Sequence, residues 1–204
     1  MSLRGFQQAA VDLTLSPDSF RALRRGESAL LDRYNLSERE RNRLLEISRQ
    51  PGMAMNCSLA RGNRLELIVG SFPKTCLLLK PSLPRLLDEL WERHKPDNYQ
   101  LFGEEDAFAA FIAQKISRHE LAIEYLCEIF SYELACRDLA LRLESSADGD
   151  SAIEAVVEFR HAPDELLAPP LNRGVAPPSG LPSGVFPTRV RLSEDGLEVD
   201  PIPA

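Results

Sequence analysis

The sequence predicts an α+β protein, with a mostly helical N-terminal body over residues 1–145 and a small C-terminal antiparallel β-sheet over 146–204. Three observations carry this. Through residue 143, apolar residues recur at the three- and four-residue spacing of amphipathic helices. Ser145-Ser146-Ala147-Asp148-Gly149-Asp150 is then a small polar linker. Beyond it the pattern changes to strands and a hairpin.

In chain order, Leu3 to Leu13 places Phe6, Ala9, Ala10 and Leu13 on one helical face. Ser16-Pro17-Asp18 restarts the chain, with Ser16 as a cap, Pro17 at the first helical position, and Phe20 and Leu23 turned inward. Ser37-Glu38-Arg39-Glu40 reads as a capping box opening a helix to Arg49 that carries Leu44, Leu45 and Ile47. A further helix covers Ala54 to Val69. Phe72-Pro73-Lys74-Thr75 reads as a break before the apolar run from Cys76 to Leu79. Pro81 and Pro84 lead into a helix with Leu86, Leu87, Leu90 and Trp91, and Glu105 to Ile116 forms another with Phe108, Phe111 and Ile112 on one face. The longest helix is expected from Arg118 to Leu143, burying Leu126, Ile129, Phe130 and Leu134 and turning Glu120, Glu124 and Glu128 to solvent.

The tail differs. Ala152 to Arg160 mixes β-branched and charged residues, as a strand does. Asn172 to Gly184, rich in proline and glycine, is expected to be a mobile loop. Phe186 to Leu192, a turn at Ser193-Glu194-Asp195-Gly196, and Leu197-Glu198-Val199 form the hairpin.

Composition fits a folded chain, with 44% hydrophobic and 27% charged residues. No apolar run approaches the ~18 residues of a membrane span, and the first residues lack the apolar stretch of a secretory signal. Four scattered cysteines, Cys57, Cys76, Cys127 and Cys136, read as reduced, mostly buried thiols of a cytoplasmic protein. The net charge of −7 is uneven. Residues 1–64 hold eleven arginines and seven acidic side chains, a net of +4; residues 120–204 hold six basic and sixteen acidic, a net of −10.

Catalytic motifs are absent from the pattern. His94, His119 and His161 fall in three different expected elements, without the short repeated spacings of metal ligands. No phosphate-binding loop, dinucleotide fingerprint or nucleophile elbow occurs. Cys76 follows Lys74, which would lower a thiol pKa, but the three leucines after it make a core role the simpler reading. A small sheet has edges, and an edge can accept an extended peptide. The residues therefore point to a binding protein rather than a self-sufficient enzyme.

Laid out in this order, the chain resembles the MbnC-like partner proteins of multinuclear non-heme iron peptide-modifying oxidases. The resemblance rests on Ser71-Phe72-Pro73-Lys74-Thr75 before an apolar run, Phe102-Gly103 with Phe108 and Phe111, and Leu126-Cys127-Glu128-Ile129 in a long helix. The strand, loop and Arg189-Val190-Arg191-Leu192 hairpin, together with Ser16-Pro17-Asp18 and Leu36-Ser37-Glu38-Arg39-Glu40, complete it. It spans nearly the whole chain and lies in the order of elements more than in any one motif.

The resemblance implies that the sheet is similar to the recognition element of ribosomally made, post-translationally modified peptides. It implies a heterodimer with an iron oxidase, in which this chain binds the precursor's leader and the iron sits in the other subunit. No cofactor, metal ligand or catalytic residue is then expected in this chain. Candidate peptide contacts are Val156, Glu158 and Phe159 on the first strand, with Arg189, Val190 and Arg191 on the hairpin. The arginines would pair with acidic leader residues. Packing of Val156, Phe159 and Val190 on the helices is the competing explanation. The alternative function is a DNA-binding or regulatory protein, suggested by the Arg21, Arg24, Arg25 and Arg39, Arg41, Arg43 clusters and opposed by the acidic total.

Overall fold

The computed structural model describes residues 3–94, 103–145, 153–168, 174–193 and 196–202. The fold is α+β, as the sequence predicts. The helices are α1 (Leu3–Leu15), α2 (Pro17–Arg24), α3 (Glu38–Arg49), α4 (Pro51–Ser71), α5 (Pro73–Leu78), α6 (Leu83–Arg93), α7 (Glu104–Ser117), α8 (Leu126–Ser145) and α9 (Pro163–Leu166), with a 3-10 turn at Ser28–Leu31. The strands are β1 (Ile153–His161), β2 (Ser183–Ser193) and β3 (Gly196–Pro201). The linker residues Ser146 to Asp150, together with Phe102, Ala152, Asn172, Glu194 and Asp195, lie outside the described residues.

The chain divides into two compact units, residues 1–67 with 88–104, and 68–87 with 105–204. This differs from a boundary at 145. The sheet cannot bury its apolar face alone, and it shares a core with α8.

In the first unit, local signals determine the helix starts. Ser16 accepts from the Ser19 N–H at 3.3 Å, with Pro17 at the first helical position. Ser37 and Glu40 form the reciprocal capping box expected of them. Ala9, Leu13, Leu23, Leu31 and Leu44 form the core. Arg64 and Glu104 are also fully buried here. The Arg64 Nε donates to Glu104 Oε2 at 3.0 Å, and a second guanidinium nitrogen lies 2.9 Å from Oε1. Trp91 Nε1 donates to the same carboxylate at 2.7 Å, and Arg64 also donates to the His94 carbonyl at 3.1 Å. Burial lowers the Arg64 pKa, and Glu104 beside it opposes that shift.

In the second unit, the ring of Phe72 packs on Phe108 and Phe130, with centroids 5.5 and 5.8 Å apart. The expected break at Phe72-Pro73-Lys74-Thr75 proves to be a helix start. Pro73 occupies the first position of α5, and the carboxylate of Glu133 caps it by accepting the Lys74 and Thr75 N–H groups at 2.7 and 2.8 Å. Burial pushes the Glu133 carboxyl up, against the pull of those hydrogen bonds. Cys76 is buried beside Glu133 and pushed up to about 12, so it is a core thiol rather than an activated one.

The helix expected from Arg118 to Leu143 is shorter, beginning at Leu126. His119, with φ of 55°, stands where a helix-ending glycine usually does. Its N–H donates to the Ile116 carbonyl and that of Glu120 to Lys115, the paired bonds of a Schellman ending. Tyr125, with φ of 63°, then redirects the chain into α8. Glu120 and Glu124 therefore lie outside a helix, and Glu128 is buried rather than solvent-facing.

The sheet is antiparallel throughout, in the order β1-β2-β3. Val157, Phe159 and Val190 turn toward Ile129, Tyr132 and Leu139 of α8, with the Tyr132 and Phe159 rings 6.1 Å apart. Glu154, Val156, Glu158, Arg189, Arg191, Glu198 and Asp200 occupy the opposite, exposed face, as the two-residue period requires.

Candidate peptide-binding edge

Strand β1 is an end strand, and no described strand pairs with its outer edge. The alternation along a strand assigns its backbone groups. The Arg160 N–H donates to Glu128 Oε2 at 2.7 Å rather than to β2, so it points outward. Residues two, four and six positions earlier share that parity. Glu158, Val156 and Glu154 thus direct their N–H and C=O groups to the open edge.

Glu128 limits this edge. It accepts Arg160 N–H and, at 3.1 Å, His161 N–H through Oε2, while His161 Nδ1 lies 2.8 Å from Oε1. A buried carboxylate thus takes the donors that an added strand would need beyond residue 159. The His161 ring meets Tyr125 edge-on, with centroids 4.9 Å apart. The Tyr125 hydroxyl donates to the Pro178 carbonyl and accepts from the Leu181 N–H, at 3.1 and 3.0 Å. Gly180 N–H donates to Glu124 at 3.1 Å. The described part of the expected mobile loop, 174–182, is therefore tied to 124–125. Three anchors hold Tyr125 in its left-handed conformation, which costs about 1–2 kcal/mol in an unsupported residue.

A cleft of about 550 Å³ opens beside this edge. Ile116, Leu121 and Ile123 give it apolar walls, and Glu158, Arg160 and His119 give it polar ones. Cys127, exposed, is also on its wall, unlike the other three thiols. Such a cleft can take side chains from a strand laid along β1.

The expected contact residues separate into three groups. Val156 is 63% exposed, and it and Glu158 lie on the open edge. Phe159 and Val190 are 0% exposed. Their side chains are consumed by the core under the sheet and are withdrawn from the contact set. Arg189 and Arg191 are exposed but sit on the central strand, 3.5 Å from Glu154 and 3.9 Å from Glu198 respectively. They are one strand away from either edge and are already engaged with acids.

Sequence reasoning missed Glu128, Tyr125, His119 and Glu154. A carboxylate between Leu126 and Ile129 was the available signal for Glu128, but a helix read from Arg118 concealed it. Glu154 was legible only as part of a strand.

Among the described residues no group of three or more His, Cys, Asp or Glu is placed to hold a metal ion, and no helix is long and apolar enough to cross a membrane. No protein-family model, curated protein or solved structure matches the chain.

Proposed function

We propose that this chain is a non-catalytic partner subunit that binds the leader of a ribosomally synthesised precursor peptide and presents its core to a multinuclear non-heme iron oxidase. The observation that supports this most is the open β1 edge, with outward backbone groups at Glu154, Val156 and Glu158, beside the 550 Å³ cleft. A leader added as a fourth strand gains main-chain hydrogen bonds there, and its alternate side chains enter the cleft. Leader binding then holds the core near the oxidase at an effective concentration on the order of millimolar, with no catalytic group needed from this chain. The iron belongs to the other subunit, and the complex works in the cytoplasm.

Co-expression with a candidate iron oxidase tests this reading. It predicts a stable heterodimer, with submicromolar leader binding both to the complex and to this chain alone. No complex and no leader binding would overturn it. Salt-dependent binding to random duplex DNA in their place would favour the nucleic-acid alternative.

A further inference from the structure

The exposed face of the sheet is a checkerboard of charge. Across the strands, Glu154 stands opposite Arg191 and Arg191 opposite Glu198; Val156 stands opposite Arg189 and Arg189 opposite Asp200. Acid and base thus alternate across all three strands in the row Glu198, Arg191, Glu154, whereas the row Asp200, Arg189 ends on Val156. The edge strand ends this alternation on acid. Along β1 the outward residues run Glu154, Val156, Glu158, followed by Arg160, whose N–H is already taken by Glu128. Arg189 reaches Glu154 only at 3.5 Å, between two exposed side chains. Glu158 stands opposite Pro187 and has no ion-pair partner among the described residues.

We infer that the β1 edge selects an extended peptide in which a basic, an apolar and a basic residue alternate along one face. This rests on the peptide-binding reading above and names the chemistry of the segment bound. In an added strand, the residues beside Glu154, Val156 and Glu158 project on the same exposed face, two positions apart. A base beside Glu154 continues the alternation, a base beside Glu158 gives that exposed carboxylate a counter-charge, and an apolar residue beside Val156 covers a side chain that is 63% exposed. Like charges directly opposite destabilise a strand pair, so an acidic segment is rejected. The basic–x–apolar–x–basic pattern reads the same in both directions, so parallel and antiparallel addition make the same demand. The Glu128 clamp at Arg160 bounds the edge at that end, and among the described residues it leaves these three outward positions. The net of −10 over residues 120–204 favours a basic guest during encounter. Arg189 then serves to hold Glu154 in place, and Arg191 is engaged with Glu198 of β3, the reverse of pairing with acidic leader residues.

The test uses the full chain and two fluorescent peptides with identical neutral flanks, one centred on Lys-Thr-Val-Thr-Lys and one on Glu-Thr-Val-Thr-Glu. Anisotropy should show the lysine peptide binding roughly tenfold tighter, with the gap shrinking as salt rises from about 50 to about 500 mM. The double variant Glu154→Lys, Glu158→Lys should reverse the preference, with unchanged circular dichroism as evidence of folding. Equal affinity for the two peptides, or binding of neither, would overturn the inference. The precursor leader is measured in parallel. A leader that binds while the patterned peptides are not discriminated removes the charge rule alone; failure of all three peptides removes edge recognition as well.

Discussion

In one unit Glu104 is buried against a guanidinium, whereas in the other Glu128 and Glu133 are buried against backbone N–H groups. The first arrangement neutralises a charge with a charge. Arg64 forks onto both oxygens of Glu104, and Trp91 adds a third donor. The second uses a carboxylate to specify where a piece of backbone goes. Glu133 starts α5, and Glu128 ends the open part of β1. A side-chain pair can be exchanged for another pair of similar volume. A carboxylate that satisfies main-chain donors has no simple replacement, because the donors remain whatever the side chain becomes.

The largest effect is expected from Arg64→Ala, which leaves Glu104 buried without its cation. Urea unfolding should show a loss of about 3–5 kcal/mol. Adding Glu104→Gln should recover part of it, because the strained charge is removed. No recovery would mean that packing, not charge, dominates the site.

Glu133→Ala should cost about 2–3 kcal/mol by stranding the Lys74 and Thr75 N–H groups. Its pH dependence separates the two regions further. Burial raises the folded-state pKa of Glu133 above the ordinary 4.5, so its favourable contribution is complete below that value and declines as pH rises through the folded value. Wild type should therefore lose stability relative to Glu133→Gln on going from about pH 4 toward pH 7. A difference that is flat or of opposite slope in paired denaturation curves would contradict this.

Glu128→Ala should have a smaller global cost, about 1–2 kcal/mol. Its sharper mark is local: hydrogen exchange at the Arg160 and His161 amides should accelerate more than at Val157, which pairs with β2. The smallest effect is expected at His119. Glycine there removes the left-handed strain, and His119→Gly should gain about 0.5–1 kcal/mol in the same unfolding assay.

The parts of this fold that were legible in the sequence are those governed by neighbours in the chain. Ser16 and Ser37 cap helices because their oxygens lie three residues from the donors they serve. The hairpin was legible from its alternation and the glycine at 196, which has φ of 127°. The separation of α7 from α8 was not, because His119 and Tyr125 take a conformation that sequence assigns to glycine or asparagine. Their positions depend on tertiary anchors, above all the hydrogen bonds of the Tyr125 hydroxyl. The same limit applies to the candidate site. Val156 and Glu158 were singled out as strand residues, but strand order decides that they face an open edge while Val190 and Phe159 are core. Glu128 reaches β1 across 32 residues of sequence, a distance at which no local pattern reports.

The most direct test of edge recognition removes one outward N–H and little else. Val156→Pro deletes the backbone donor aimed at the open edge while sparing the bonds to β2, and proline is tolerated on edge strands at such positions. Val156→Thr keeps the donor and serves as the control. Leader affinity, measured by titration on folded protein, should fall at least tenfold for Val156→Pro and stay within about twofold for Val156→Thr. A folded Val156→Pro protein that binds the leader as wild type does would place recognition elsewhere and contradict the account.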